Sequence, residues 1–214
     1  MNFYKFDDLS SVEEQYKTHP NKQYANKWCD AWAVDRINGT AEKCPLCGRP
    51  VSVREWLEPR KMRLTNTRYP DRLSNWLSEP LVVSERFKEL FLKEALRGIS
   101  SFNPIEVVKV SHSPMKSSFP KYYQARIDYS TEISVDASAT LIQGQPYDGS
   151  CSLCNPFGST VDKINRLVLD VSGWTGSDIL RVYGIGVVMS QGFFDFVEKH
   201  QFTNFPMVLV ETGR

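Results

Sequence analysis

Four of the five cysteines stand in two Cys-x-x-Cys pairs, Cys44/Cys47 and Cys151/Cys154. Two intervening residues let the backbone fold into a knuckle, so both thiolates of a pair face one point. Four such sulfurs make the tetrahedral donor set that a d¹⁰ zinc ion favours, with Zn–S near ~2.3 Å. Gly48 follows the first pair, at the position where a knuckle often needs positive φ. Asn155, which tolerates the left-handed region, holds the same place after the second. A shared structural zinc site on Cys44, Cys47, Cys151 and Cys154 is the expectation. The same four sulfurs also suit two disulfides, a redox-active pair or an iron centre. The gap between the pairs far exceeds the roughly 15–20 residues of a compact zinc ribbon, so a long insertion must leave and return. A closed Cys₄ site has no open coordination position, so it stabilises structure and does not activate water. Cys29, alone between Trp28 and Asp30, reads as a small buried hydrophobe.

Other chemistry is sparse. His19, His112 and His200 lack metal-ligand spacing, and His200 is explained by the helix C-terminus it would face. There is no P-loop, Gly-x-Ser-x-Gly or His-Glu-x-x-His. Gly184-Ile185-Gly186 lacks the third glycine of a dinucleotide loop and reads as a turn. A binding role is expected rather than an enzyme, with the 12% aromatic content supplying anchors.

The elements that must position the cysteines belong to a globular chain. Its 214 residues are 41% hydrophobic and 24% charged, which excludes disordered, collagenous and fibrous classes. Lys+Arg 26 against Asp+Glu 25 leaves a formal charge of +1, so no global field favours nucleic acid or an acidic membrane. No apolar run approaches the ~18 residues that span a bilayer. The first residues lack a basic region followed by an apolar one, and a cytoplasmic location is expected. One basic segment, from Arg54 to Arg72, carries Arg60, Lys61, Arg63 and Arg68. It reads first as a solvated surface. A zinc-ribbon nucleic-acid-binding or transcription-associated protein using those four residues is the alternative function.

Residues 84–98 have helix grammar: Ser84 as cap, an early acid, apolar Phe87, Leu90 and Phe91, then basic residues before a Gly98 stop. A strand over Phe102–Val110 follows a proline boundary at Pro104. The grammar returns later: Ser190 matches Ser84, Phe193 matches Phe87, Phe196 matches Leu90, and Pro206 falls near Pro104. Further strands are expected at Val51–Arg54, Tyr122–Tyr129, Ile133–Val135 and Leu167–Val171. The expected fold is α+β, with mixed sheets, a repeated strand-helix-strand unit and a zinc-ribbon-like Cys₄ knuckle site. The expected division is 1–80 plus 145–160 as the zinc-bearing part, and 81–144 plus 161–214 as the α+β body, both within reach of one continuous domain.

At Cys44-Pro45-Leu46-Cys47-Gly48, at Trp174-x-Gly176-x-Asp178-Ile179, and at Val188-Met189-Ser190 with its following Phe193, the chain resembles the double-CXXCG motif proteins of bacteria. These are similar to immunity families encoded beside polymorphic toxins. The second knuckle departs from the pattern, with Asn155 where glycine is usual. The resemblance implies a protein that binds a cognate toxin and blocks it, with the four cysteines as metal ligands. Trp174, Gly176 and Asp178 carry no chemistry assignable from it. Their simplest roles are a structural turn, a core aromatic at Trp174 and a cap at Asp178.

Overall fold

The computed structural model describes residues 1–6, 31–73 apart from 53, 66 and 68, 81–111, 119–143, 151–155 and 163–213. Fifteen strands and two helices lie among them. The strands of the first half are β1 (Phe3–Phe6), β2 (Ala31–Val34), β3 (Lys61–Leu64), β4 (Arg72–Leu73), β5 (Leu81–Ser84) and β6 (Ser101–Val110), with helix α1 (Glu85–Lys93) between the last two. The second half runs β7 (Tyr122–Arg126), β8 (Tyr129–Ser130), β9 (Ser134–Val135), β10 (Leu141–Gln143), β11 (Lys163–Arg166), β12 (Val168–Asp170), β13 (Ile179–Val182), β14 (Gly186–Ser190), α2 (Gln191–Lys199) and β15 (Met207–Thr212). The α+β expectation holds only in part. The sheets are mixed and the strand-helix-strand unit recurs, but the described chain is mostly sheet, and helix is confined to two nine-residue segments. Most of the strands are two to five residues long, too short to show a clear alternation in the sequence.

The repeat extends far beyond the strand-helix-strand unit. One sheet has the order β2-β3-β6-β7-β5-β4, and the other contains β9-β12-β15-β1-β14-β13 with β8 added at its edge. Position by position the orientations agree: antiparallel, parallel, then three antiparallel pairs. Each half therefore builds the same six-stranded array, except for one strand. β7, from the second half, lies between β5 and β6 of the first; β1, from the first half, lies between β14 and β15 of the second. The two halves exchange a strand reciprocally.

Equivalent side chains follow this register. Tyr122 and Phe3 pair with Ser84 and Ser190 respectively, and each is 1% exposed. Met62 and Leu169, and Leu73 and Leu180, are likewise buried counterparts. The two prolines are not counterparts. Pro104 pairs with Tyr123 inside β6, at the level of Leu209, whereas Pro206 precedes β15. Their alignment in sequence reflects a difference in strand start and not a shared boundary.

Both helix starts are as expected. Ser84 Oγ accepts from the Phe87 N–H at 3.1 Å, and Ser190 Oγ accepts from the Phe193 N–H at 3.2 Å, the N-cap bond that satisfies an otherwise orphan donor. The end of α1 differs from expectation, whereas α2 ends at His200 as expected. α1 stops well before Gly98: Ala95 turns left-handed at φ 55°, its N–H donates to Leu92 O, and the Leu96 N–H donates to Phe91 O. α2 ends the same way with Gln201 at φ 51° and bonds from Gln201 to Glu198 O and from Phe202 to Val197 O. These are Schellman closures without glycine. Gly98 serves another purpose: at φ 115° it runs so close to β13 that a Cβ there would stand 1.6 Å from Ile179 O.

The two helices and one face of each sheet share a single core, in which Phe87, Phe91, Phe193, Phe196, Phe202 and Phe205 meet Val83, Ala125, Ile179 and Met189. Alternation along the strands sends Val82 and Tyr122 to a second cluster behind the six-stranded sheet, and Val188, Leu180 and Phe3 to a third behind the seven-stranded one.

Candidate metal centre

Each knuckle sits at the tip of an excursion between matching strands. Between β2 and β3 the chain runs out from Ile37 and back to Leu57, tied by the Leu57 N–H to Ile37 O (3.0 Å), Gly39 to Glu55 O (2.8 Å) and Val51 to Glu42 O (2.8 Å). Among the described residues only isolated bridges form here, Asn38 with Trp56 and Lys43 with Pro50. The strand expected at Val51–Arg54 is absent among its described residues, because the partner segment is held at scattered points. Between β9 and β12 the second excursion is the two-stranded β10–β11 ladder, with Cys151–Asn155 lying between its strands.

The knuckles close differently. In the first, the Gly48 N–H donates to Cys44 O (2.8 Å) and the Cys44 N–H donates past it to Arg49 O (2.8 Å), so Gly48, at φ 73°, is an extra left-handed residue. In the second, Cys151 and Asn155 exchange both backbone bonds at 2.9 and 3.0 Å. Asn155 is not left-handed. The expectation that it substitutes for glycine is corrected: the second closure has no inserted residue and needs no positive φ.

The four sulfurs converge. Cys44 Sγ lies 3.8 Å from Cys151 Sγ, Cys47 Sγ lies 3.5 Å from Cys154 Sγ, and all four are within 4.8 Å of one another. A tetrahedron with ~2.3 Å metal–sulfur arms has edges of about 3.8 Å, whereas a disulfide requires about 2.05 Å; all four cysteines are free thiols. The donor set therefore fits a tetrahedral thiophilic ion, and the cluster can hold one. Each half of the repeat contributes two ligands.

The local electrostatics agree. Backbone N–H groups of Cys154 and Leu153 lower the Cys151 thiol to about 6. For Cys44, burial works against ionisation, but the N–H groups of Cys47 and Leu46 outweigh it and the pKa falls. Cys154 is pushed up by burial and then by Cys44, Cys47 and Cys151. Four thiols this close cannot all shed protons without a cation among them, and a metal ion relieves that conflict. The Tyr183 phenol is also raised, by burial and then by the nearby Cys44 and Glu42.

The first excursion is fastened to the body by Arg126, which reaches Glu42 at 3.5 Å and Glu55 at 3.6 Å, and by the Tyr129 hydroxyl donating to Val51 O. Trp56, 4% exposed, roots it in the core behind the six-stranded sheet.

No family model and no curated protein matches the chain. Among the described residues, no helix is long and apolar enough to cross a membrane.

Other residues singled out by sequence fall as follows. Arg60 is buried, its Nε donating to Trp56 O (2.8 Å) and Gln124 Oε1 (3.0 Å) and its Nη1 paired with Glu58 at 2.9 Å. It is a core strut, unsuited to phosphate contact. Lys61 and Arg63 alternate with buried Met62 and Leu64 on β3, while Arg68, Cys29, His19 and His112 lie outside the described residues. His200 caps α2 and pairs with Glu94 beyond the end of α1. Gly184 lies in the turn between β13 and β14, and Gly186 opens β14 opposite Val182. Trp174 packs edge-on against Phe3 at 5.5 Å and donates to Ser177 O.

Asp178 supports the cap rather than forming it. Its Oδ1 accepts from the Ser190 hydroxyl (3.3 Å), its Oδ2 from the Arg97 N–H (2.8 Å), and the Ser190 N–H donates to Asp178 O (2.8 Å). Gly176, at φ 100°, leaves room for Arg97 Nη2, which a Cβ would meet at 2.2 Å. Asp71 does the same work in the other half, and sequence reasoning missed it. It accepts from the Ser84 hydroxyl (2.8 Å) and from the Thr203 N–H (3.0 Å), and the Ser84 N–H donates to Asp71 O (2.8 Å). Each aspartate thus ties its own helix cap to the loop after the other half's helix. The signal that could have found Asp71 is its spacing, 13 residues before Ser84 as Asp178 is 12 before Ser190.

Proposed function

We propose that the chain is an immunity-type binding protein, held in shape by one structural zinc ion, which neutralises a cognate bacterial toxin by covering its functional surface. The observation that carries this reading is the closed four-sulfur cluster drawn equally from two repeated halves. Four thiolates fill a zinc ion's coordination shell, so the metal serves rigidity and leaves no position for substrate or water. A rigid scaffold lowers the ordering cost of forming an interface, which is what a tight protein inhibitor needs. The resemblance of the two knuckles and of the Trp174–Asp178 segment to the double-CXXCG proteins supplies the partner class. The nucleic-acid reading loses Arg60, which is spent inside the protein.

Co-expression with the product of the adjacent reading frame tests the proposal. The expected result is restored growth, co-purification of the two proteins and one zinc per chain by elemental analysis. A neighbouring product that neither harms the cell nor binds the chain would overturn the toxin partner. Absence of stoichiometric zinc would overturn the metal.

A further inference from the structure

The sulfur cluster is not equally open on all sides. Cys44 and Cys151 are buried, 2% and 6% exposed, whereas Cys47 is exposed and Cys154 half-buried. Each knuckle therefore supplies one sheltered and one accessible sulfur. Across the two halves the sulfurs sort by exposure. The accessible pair, Cys47 and Cys154, lie 3.5 Å apart, and the sheltered pair, Cys44 and Cys151, 3.8 Å apart. A reagent arriving from solvent meets Cys47 first, and the sulfur of Cys154 stands beside it, itself partly open to solvent. A disulfide has its sulfurs at ~2.05 Å, so about 1.5 Å remains to be closed. A metal-bound sulfur is a thiolate, and the thiolate is also the nucleophile towards oxidants.

We propose that Cys47 and Cys154 are a site of oxidative modification, joined into one disulfide between the two halves by an oxidant of the peroxide class. Cys47 Sγ attacks one peroxide oxygen; the O–O bond breaks, a sulfenic acid forms, and the hydroxide that leaves takes up a proton as water. Cys154 Sγ then attacks Cys47 Sγ. The S–S bond forms, the S–O bond breaks, and a second hydroxide leaves as water. In all, two electrons pass from the two thiolates to the peroxide. The zinc ion keeps only two of its four ligands and is released. The new bond spans the same two excursions that the metal joined, and it closes a loop across 107 residues of chain. A loop of that length restricts the unfolded chain far more than a bond within one knuckle. Oxidation thus exchanges a metal tie for a covalent one at the same place. The site rests on the metal of the proposed function and is independent of the toxin.

Treatment of the zinc-loaded full-length protein, of measured metal content, with hydrogen peroxide tests it. Remaining thiols are blocked in denaturant and the disulfides mapped by mass spectrometry after proteolysis. A Cys47–Cys154 cross-linked peptide is expected as the first product, with one zinc leaving for each bond formed, and dithiothreitol with added zinc restores the starting state. The oxidised protein should have a higher denaturant midpoint than the chelated, reduced protein, and should keep the amide protection across residues 37–57 that chelation removes. Cys47→Ser should abolish the cross-link, and Cys29→Ser should leave it unchanged. The site is overturned by a first bond within either knuckle, between Cys44 and Cys151, or to Cys29. Oxidation of Cys47 to sulfinic acid without a cross-link overturns it too, as does zinc loss with every thiol still reduced. Protein that carries no zinc at the outset overturns the proposed metal alone, and the map of its peroxide product still decides the pairing.

Discussion

The two knuckles show how one chemistry is reached by two backbone routes. Gly48 is an inserted left-handed residue, while Asn155 closes a plain antiparallel bridge. The ligand cysteines were legible because thiolate pairs at this spacing have few other uses in a chain with no further cysteine framework. The route of closure was not legible, because it depends on whether the Cys N–H finds its partner four or five residues on. Within the second knuckle the Cys154 and Leu153 amides depress Cys151 to about 6 from an ordinary 9.0. A depressed thiol stabilises the metal-free fold fully above its unfolded value, and the gain is lost as pH falls through the folded one. Urea unfolding of the zinc-free protein should therefore show stability rising between about pH 6 and pH 9, a slope that Cys151→Ser reduces, the lowered Cys44 thiol supplying the remainder. Zinc should be released on acidification below that range, since the bound ion holds the thiolates against protonation until protons compete successfully for them.

Helix starts were readable because a serine followed by a period of apolar residues has a local physical meaning. The end of α1 was not. Gly98 is the obvious stop, yet Ala95 and Gln201 take the left-handed position, held there by the burial of the residues that follow: Phe202 is 1% exposed and Leu96 packs against the shared core. An L-residue at that φ costs about 1 kcal/mol relative to glycine. Ala95→Gly and Gln201→Gly should each stabilise the protein by about that amount, seen as a raised denaturant midpoint at unchanged m-value. Gly98→Ala should do the opposite and strongly, since its Cβ would overlap the Ile179 carbonyl. The register of β6 against β15 also escaped the sequence, because a proline inside one strand and before the other gives the same local cue.

The described residues form two copies of one sheet array, each completed by a strand from the other and joined through several kinds of contact. A phenylalanine-rich core lies between them, Asp71 and Asp178 cross from each half to the other, and the sulfur cluster takes two ligands from each. The sequence displayed the repeat only where helix caps made it visible; strand exchange leaves no local mark, since a strand's neighbours are not written in its own residues. Of these links the metal is the one carried on the two excursions between matching strands. Chelation should therefore raise amide hydrogen exchange across residues 37–57 and in β10 and β11, while β5, β7 and β14 keep their protection. A uniform rise across both sheets would mean that the metal holds the entire fold.

The exchanged strands also set the order in which the protein can be made. β1 is synthesised well before β14 and β15, the strands on either side of it. The first sheet in turn waits for β7 before β5 and β6 are bridged. Neither half can finish alone during translation, so β1 waits with unpaired edges until β14 and β15 have been made, a natural point for a chaperone to hold.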